Sequence, residues 1–514
     1  MPESTPYYAK LPYKLYLNDQ FYGEGCTNVF PVFSLSPSSN YRLQIRFREA
    51  GACQIQFSTP PESRCLVPEG CVPDGITDCT AALQAAIDAC PPGGTLYLPK
   101  GIYLSYPLFL HGHMMLYLEK GAVLLAGTQR DRYPVLPAYR KDKNGKNRPF
   151  ASWEGIPQDS YASLLTMFDG EDIIIAGEGI IDANAQQGDW WENPKVKRGA
   201  WRPRTVYCAA VTGLTLLGVT LQNSPAWTLH PFYCSWIDVL CVHIQNPPDS
   251  PNTDGCDPES CENVRILGTE ISVGDDCISV KSGKRDLALT DPRPSRNVLI
   301  RNCLLQRGHG AVVVGSETAS GIDGLTICHC LMRNTDRGLR IKTRRGRGNT
   351  SILDRITMEK TLMESVLTPF AVNMFYFCDA DGHSDYVRSK APLPVTDETP
   401  EIRRIRCQEI QCKGARYAGL FLYGLPEQPI DSFVLKDVQI EFSQDPEKGM
   451  PVMMDDIEPV NRLALFAANV HQLLLENVRF TGSQGDCCQL HHVQEFICTD
   501  DSFSNQETSP GNGR

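Results

Sequence analysis

Three aspartates and a histidine in this chain occupy short runs rich in glycine: Asp254 in NTDG, Asp275 and Asp276 in GDD, and His309 in GHG. Further on, Arg340 and Lys342 flank Ile341 in RIK. Carboxyls packed together cannot all ionise, so one keeps a proton for donation while another stays available as a base. An acid on the leaving oxygen and a base for water are what glycosidic cleavage needs without a cofactor, and inverting enzymes hold the two carboxyls about 6.5–9.5 Å apart. Alone, each run has an ordinary explanation. DD reads as a solvated turn, GHG as a tight turn and RIK as an exposed strand, so their value depends on the elements that carry them.

Those elements repeat. The pattern apolar-x-apolar-x(4)-apolar starts at Ile173, Leu214, Ile237, Val264, Val298, Leu325, Ile356, Ile405, Phe433 and Leu473. Its alternation has a period of two and favours β-branched residues, which is strand and not helix. The spacing varies, which excludes a fixed leucine-rich frame and fits a right-handed parallel β-helix, whose corners tolerate loops of any length. In that frame Asp275 follows Val264 by the same interval as His309 follows Val298, and Asp254 lies on the coil before. The acidic groups and the histidine therefore come from neighbouring coils about 4.8 Å apart. Alternation in RIK sends Arg340 and Lys342 to one face and Leu339 and Ile341 to the other.

The predicted fold class is all-β, with residues 66–500 as the parallel β-helix. Residues 1–65, with the alternating runs YKLYLN, YRLQIRFRE and CQIQFS, are expected to form a small β-sandwich of the fibronectin III-like kind, and 501–514 a disordered tail. Helical spacing at Ala82, Leu83, Ala86 and Ile87, stopped by Pro91-Pro92-Gly93-Gly94, predicts a helix over Asp78–Cys90 that caps the solenoid. The segments Thr128–Tyr161, Ala183–Thr205 and Ser365–Pro400 exceed ordinary connections. They carry Trp153, Trp190, Trp191, Trp201, Tyr376 and His383 and are expected to fold over one end of a groove.

Composition narrows the partners. A net charge of −11 argues against nucleic acid and anionic membranes, and no run is apolar enough to span a bilayer. An anionic substrate then needs a local basic cluster, which Arg333, Arg337, Arg340, Lys342, Arg344, Arg345 and Arg347 would supply. The 21 cysteines are an odd number, scattered through apolar runs, and the first residues lack a basic region followed by an apolar one. Both features predict reduced thiols and a cytoplasmic location. No metal or other cofactor is expected, because Cys328-His329-Cys330 and Cys487-Cys488 with His491-His492 lack the CxxC pairing of a structural zinc site.

With NTDG, GDD, GHG and RIK in this order, the chain resembles the polygalacturonases of glycoside hydrolase family 28. Weaker likeness, including SPAWTLHP and SWEG, runs from about Val67 to Phe480. The resemblance implies a right-handed parallel β-helix and inverting hydrolysis of α-1,4-galacturonosyl linkages in an anionic oligosaccharide. It implies Asp275 as general acid, Asp254 and Asp276 activating water, and His309 tuning the acid. Arg340 and Lys342 would bind galacturonate carboxylates, with Asn252 and Asp257 contacting or adjoining the sugar. Long loops and an N-terminal sandwich imply exo action. Other chemistries for such a β-helix are a rhamnogalacturonan-type hydrolase, a Ca²⁺-dependent pectate lyase, or a non-catalytic carbohydrate binder.

Overall fold

The computed structural model describes residues 5–48, 51–142 and 144–499; the tail 501–514 lies outside the described residues. Four N-terminal strands, Tyr8–Leu17, Gln20–Thr27, Asn40–Phe47 and Gly51–Ser58, form one antiparallel sheet. The layer facing it is not a second sheet. Its apolar face, carrying Tyr13, Leu15 and Leu43, is covered by an extended stretch that contributes Phe30 and Val32. Tyr7 ties this unit to the outside of the solenoid by packing on Leu304 and Leu331 and donating its backbone N–H to the His329 carbonyl, 2.9 Å away.

From Cys65 the chain winds as a right-handed parallel β-helix. A full coil has three faces. In one coil these are Glu262–Leu267, Glu270–Ser272 and Ile278–Val280; in the next they are Ser295–Arg301, Leu304–Gln306 and Val312–Val314; in the third they are Ile322–Cys328, Leu331–Arg333 and Arg337–Lys342. All ten predicted repeat positions, Ile173 through Leu473, stand in one unbroken ladder on the first face, each paired in parallel with the next. Inward residues such as Val264, Ile266, Leu325 and Ile327 are fully buried, while Arg265 between two of them points to solvent. Burying each such side chain is worth about 1.5–3 kcal/mol.

The N-terminal end is capped by the helix Thr80–Asp88, shorter at both ends than the predicted span, with Leu83 and Ile87 turned into the core. An apolar cavity of about 1050 Å³ separates the N-terminal unit, at Phe33 and Leu35, from first-face residues Tyr97, Tyr117 and Ile174; no candidate site residue lines it. Thirteen of the cysteines are buried as free thiols. Three of these mark successive coils: Cys234 donates to the Cys208 carbonyl at 3.5 Å and Cys261 to the Pro231 carbonyl at 3.3 Å.

Candidate active site

The backbone ladder of the third face brings the motifs together. Gly255 N–H donates to Asp276 O at 3.0 Å, His309 N–H to Asp275 O at 3.0 Å and Cys277 N–H to Gly310 O at 2.8 Å, so NTDG, GDD and GHG occupy consecutive coils. Glycine is needed where they meet. A Cβ on Gly308 would lie 2.6 Å from the Asp275 carbonyl oxygen, and one on Gly274 would lie 2.5 Å from that of Ser250.

Asp254, Asp275 and Asp276 each place one carboxyl oxygen within 4.8 Å of the other two. They meet because neighbouring positions on adjacent coils stand only one strand spacing apart. The three differ in surroundings. Asp276 is fully buried and receives Arg340 Nη1 at 3.0 Å and Lys342 Nζ at 2.7 Å. Burial alone would raise its pKa, but the Lys342 and Arg340 charges overcome that and hold it well below the usual carboxylate range. Asp254 is nearly as buried; burial, then the Asp257 and Asp275 charges, push it well up. Asp275 keeps 24% of its side chain exposed and faces His309 Nδ1 at 3.3 Å. The hydrogen bond to Asp275 raises the His309 pKa against the opposing effect of burial.

Two cationic side chains already neutralise Asp276, and Lys281 Nζ lies 3.7 Å from Asp254. A divalent ion at this cluster would have to compete with three resident cations, so the arrangement suits proton transfer better than metal binding.

Other expectations need correction. Asp257, predicted to contact sugar, is fully buried and faces Lys281 Nζ at 3.6 Å. Asn252 does adjoin the site, half-buried, where it accepts from Arg202 Nη2 at 2.6 Å. Arg340 and Lys342 point outward from the core as alternation predicts, yet their partner here is Asp276. Most of the remaining basic cluster is likewise consumed internally. Arg345 pairs with Glu427 at 2.6 Å, Arg344 and Arg347 with Asp379 at 3.1 and 2.7 Å, and Arg333 with Glu364 at 2.7 Å.

Inserted segments wall the site on both sides along the solenoid, not at one end only. On the N-terminal side Trp153 stacks on Trp201 at 4.6 Å, Ser152 Oγ donates to Glu259, and the Gly155 carbonyl accepts from Lys284 N–H at 2.8 Å. Trp190 is buried among Tyr133 and Tyr161 and serves that insertion's own packing. On the C-terminal side Tyr376 lies 5.3 Å from Lys342 Nζ, whereas the His383 side chain is mostly exposed and pairs with Asp455. Within Ser365–Pro400, Thr368–Asn373 is a third-face strand, so the true insertion begins after it. A second C-terminal segment was not anticipated: Met450 and Pro451 carbonyls accept from Arg337, and Met453 meets both Arg340 and Asn373.

The sequence pattern of glycosyl hydrolases family 28 matches residues 158–396. A probable polygalacturonase of Vitis vinifera is 31% identical over 418 residues, covering 79% of each chain. The chain belongs to glycosyl hydrolases family 28. It is a glycoside hydrolase. An exo-poly-alpha-D-galacturonosidase of Dickeya chrysanthemi is 28% identical over 416 residues, covering 72% of this chain and 67% of that one. The family 28 exopolygalacturonase structure from Yersinia enterocolitica shares the fold with a TM-score of 0.64 at 18% identity, over 97% of this chain and 95% of that one.

Within this family 28 fold, Lys281 and Glu317 are the site residues that motif reading missed. Lys281 Nζ lies 3.2 Å from Glu317 Oε2 and 4.4 Å from the centre of the Trp227 ring. A signal was present: in DDCISVK, alternation places Ser279 and Lys281 on the outward side, just past the paired aspartates.

Proposed function

We propose that this family 28 hydrolase cleaves α-1,4-galacturonosyl linkages of pectin-derived oligogalacturonates from a chain end, releasing galacturonate with inversion. The observation carrying this reading is the trio of carboxyls in one buried cluster, one held ionised by two cations and one exposed to the groove beside a histidine. Asp275, the exposed member, protonates the leaving oxygen; Asp276, ionised, and Asp254 orient and deprotonate water. Lys342 and Arg340 sit where a bound uronate carboxylate would share them with Asp276.

Walls on both sides of the site support end-wise cleavage, since a pocket admits only a terminus whereas an open groove also admits the interior of a chain. The names of the relatives from Vitis and Dickeya agree with a galacturonan substrate. The buried free thiols support a reducing, cytoplasmic setting, in which only imported oligosaccharides would be met.

Digestion of trigalacturonate and of long polygalacturonate tests this. Monomer from the outset with slow viscosity loss is expected; rapid viscosity loss with mixed oligomers would reject end-wise action. An unsaturated product absorbing in the ultraviolet would instead identify a lyase. Inversion and retention differ in the anomer first released. Proton NMR of the first product distinguishes the two: a β-anomer means inversion and an α-anomer retention.

A further inference from the structure

Beneath Asp254 lies a buried charge network that the acid–base scheme above does not use. Lys281, with 4% of its side chain exposed, reaches three carboxyls at once: Glu317 at 3.2 Å, Asp257 at 3.6 Å and Asp254 at 3.7 Å. Neither Asp257 oxygen has a hydrogen-bond partner, although the residue is fully buried. A buried, unbonded carboxylate is costly, whereas a carboxyl that shares a proton with a neighbour is not. Asp254, Asp257 and Glu317 thus compete for one ammonium, while Asp276 on the same wall is held by Arg340 and Lys342.

We propose that Lys281 is a positioning residue for the hydrolysis: its ammonium, shared by Asp254, Asp257 and Glu317, fixes the Asp254 carboxyl and holds it ready to act on water. The inference rests on the reading of Asp254 as a base for water. A base must be ionised to work, and burial together with Asp257 opposes ionisation while Lys281 promotes it. Asp257 itself is pushed up to about 8, first by burial, with Lys281 opposing. Glu317 moves the other way: burial would raise it, but Lys281 and then Lys284 bring it down to about 2, so it stays ionised and anchors the ammonium from below. Other charged or titratable groups around Lys281 are Asp276, Glu154, Glu259 and His230. The Lys281 backbone is paired with Glu259 on the preceding coil, so the side chain's position is set by the ladder and not by a mobile loop.

The test is the pH dependence of kcat/KM on an oligogalacturonate for wild type, Lys281→Met, Lys281→Arg and Asp257→Asn. Removing the cation leaves Asp254 protonated to higher pH. Lys281→Met should therefore move the acidic limb upward by about one pH unit or more, and Lys281→Arg should restore it. Asp257→Asn removes the carboxyl that competes with Asp254 for the same ammonium and should move the limb downward. A folded Lys281→Met whose limb coincides with wild type overturns the proposal. If that variant fails to fold, an unmoved or raised limb in Asp257→Asn does so. A wild-type enzyme inactive on oligogalacturonates would reject the substrate reading instead. Infrared difference titration of aspartate carboxyls in the free enzyme measures the same opposite shifts without turnover, and their absence there overturns the role of Lys281 by itself.

Discussion

Asp275, Asp254 and Asp276 are chemically identical side chains made unequal by what surrounds them. Because Asp275 alone reaches the groove, with a quarter of its side chain exposed, its amide variant loses the group proposed to protonate the leaving oxygen. Asp275→Asn should keep its fold and lose at least about a hundredfold in turnover. A substrate with an aryl leaving group, which departs without protonation, should recover much of that loss; equal loss on both substrates would move the acid role elsewhere. For Lys342 the structure changes what the motif alone suggests. Its ammonium lies on Asp276 at 2.7 Å, so Lys342→Ala should lower kcat as well as raise KM. Asp276 is held low partly by Lys342; without it the carboxylate reprotonates at higher pH, and infrared difference titration of Lys342→Ala should show that carboxyl moved upward. A pure KM effect with no such carboxyl shift would show that Lys342 serves the substrate alone. His309 is held protonated to higher pH than a free imidazole by Asp275, and activity should fall on the alkaline side as that proton leaves.

At the scale of elements, the solenoid was legible because stacking demands the same apolar residue type at the same point of every coil. The ladder from Ile173 to Leu473 is that demand written in sequence. Leu325 lies in its middle, fully buried, and Leu325→Ala should cost about 2–5 kcal/mol in denaturant unfolding; a loss well below 1 kcal/mol would mean that the coils relax around the gap. The clustering of NTDG, GDD, GHG and RIK was legible for the same reason, since equal offsets from a laddered residue mean equal places on a face. What could not be read was depth. Asp257 looks like any polar turn residue, and it lies fully buried beside Lys281, which arrives from the next coil. The Met450–Met453 segment went unnoticed because its contacts are backbone carbonyls and a thioether, which leave no motif. Replacing residues 446–459 by a short Gly-Ser linker should open the C-terminal wall; on polygalacturonate the products should shift from monomer toward longer oligomers. Unchanged monomer release would place the end-wise block on the Trp153–Trp201 side.

Across the whole molecule, a net charge of −11 and an anionic substrate coexist only if the site is locally neutral or positive. The seven-residue basic cluster does less here than its composition suggests, because Glu364, Asp379 and Glu427 neutralise most of it. Substrate affinity should therefore depend on a few contacts near Asp276 more than on long-range attraction, and should respond weakly to salt.

The buried thiols give the solenoid a set of internal clocks. Each hidden sulfur can meet a solution reagent only while its own coil is open, so its rate of modification times that opening. Contacts in a solenoid run only between neighbours, and an opening that begins at an end travels inward coil by coil. Under native conditions Cys26, Cys53, Cys65 and Cys378, which are exposed, should react at once. Cys79 and Cys90 beside the capping helix should follow, and Cys256, Cys261 and Cys277 behind the aspartate cluster should come last. Pulsed alkylation read by mass spectrometry would record that order. If the thirteen buried thiols reacted together instead, the three-faced coil stack would be opening as one cooperative body, and the active site would have no sheltered middle.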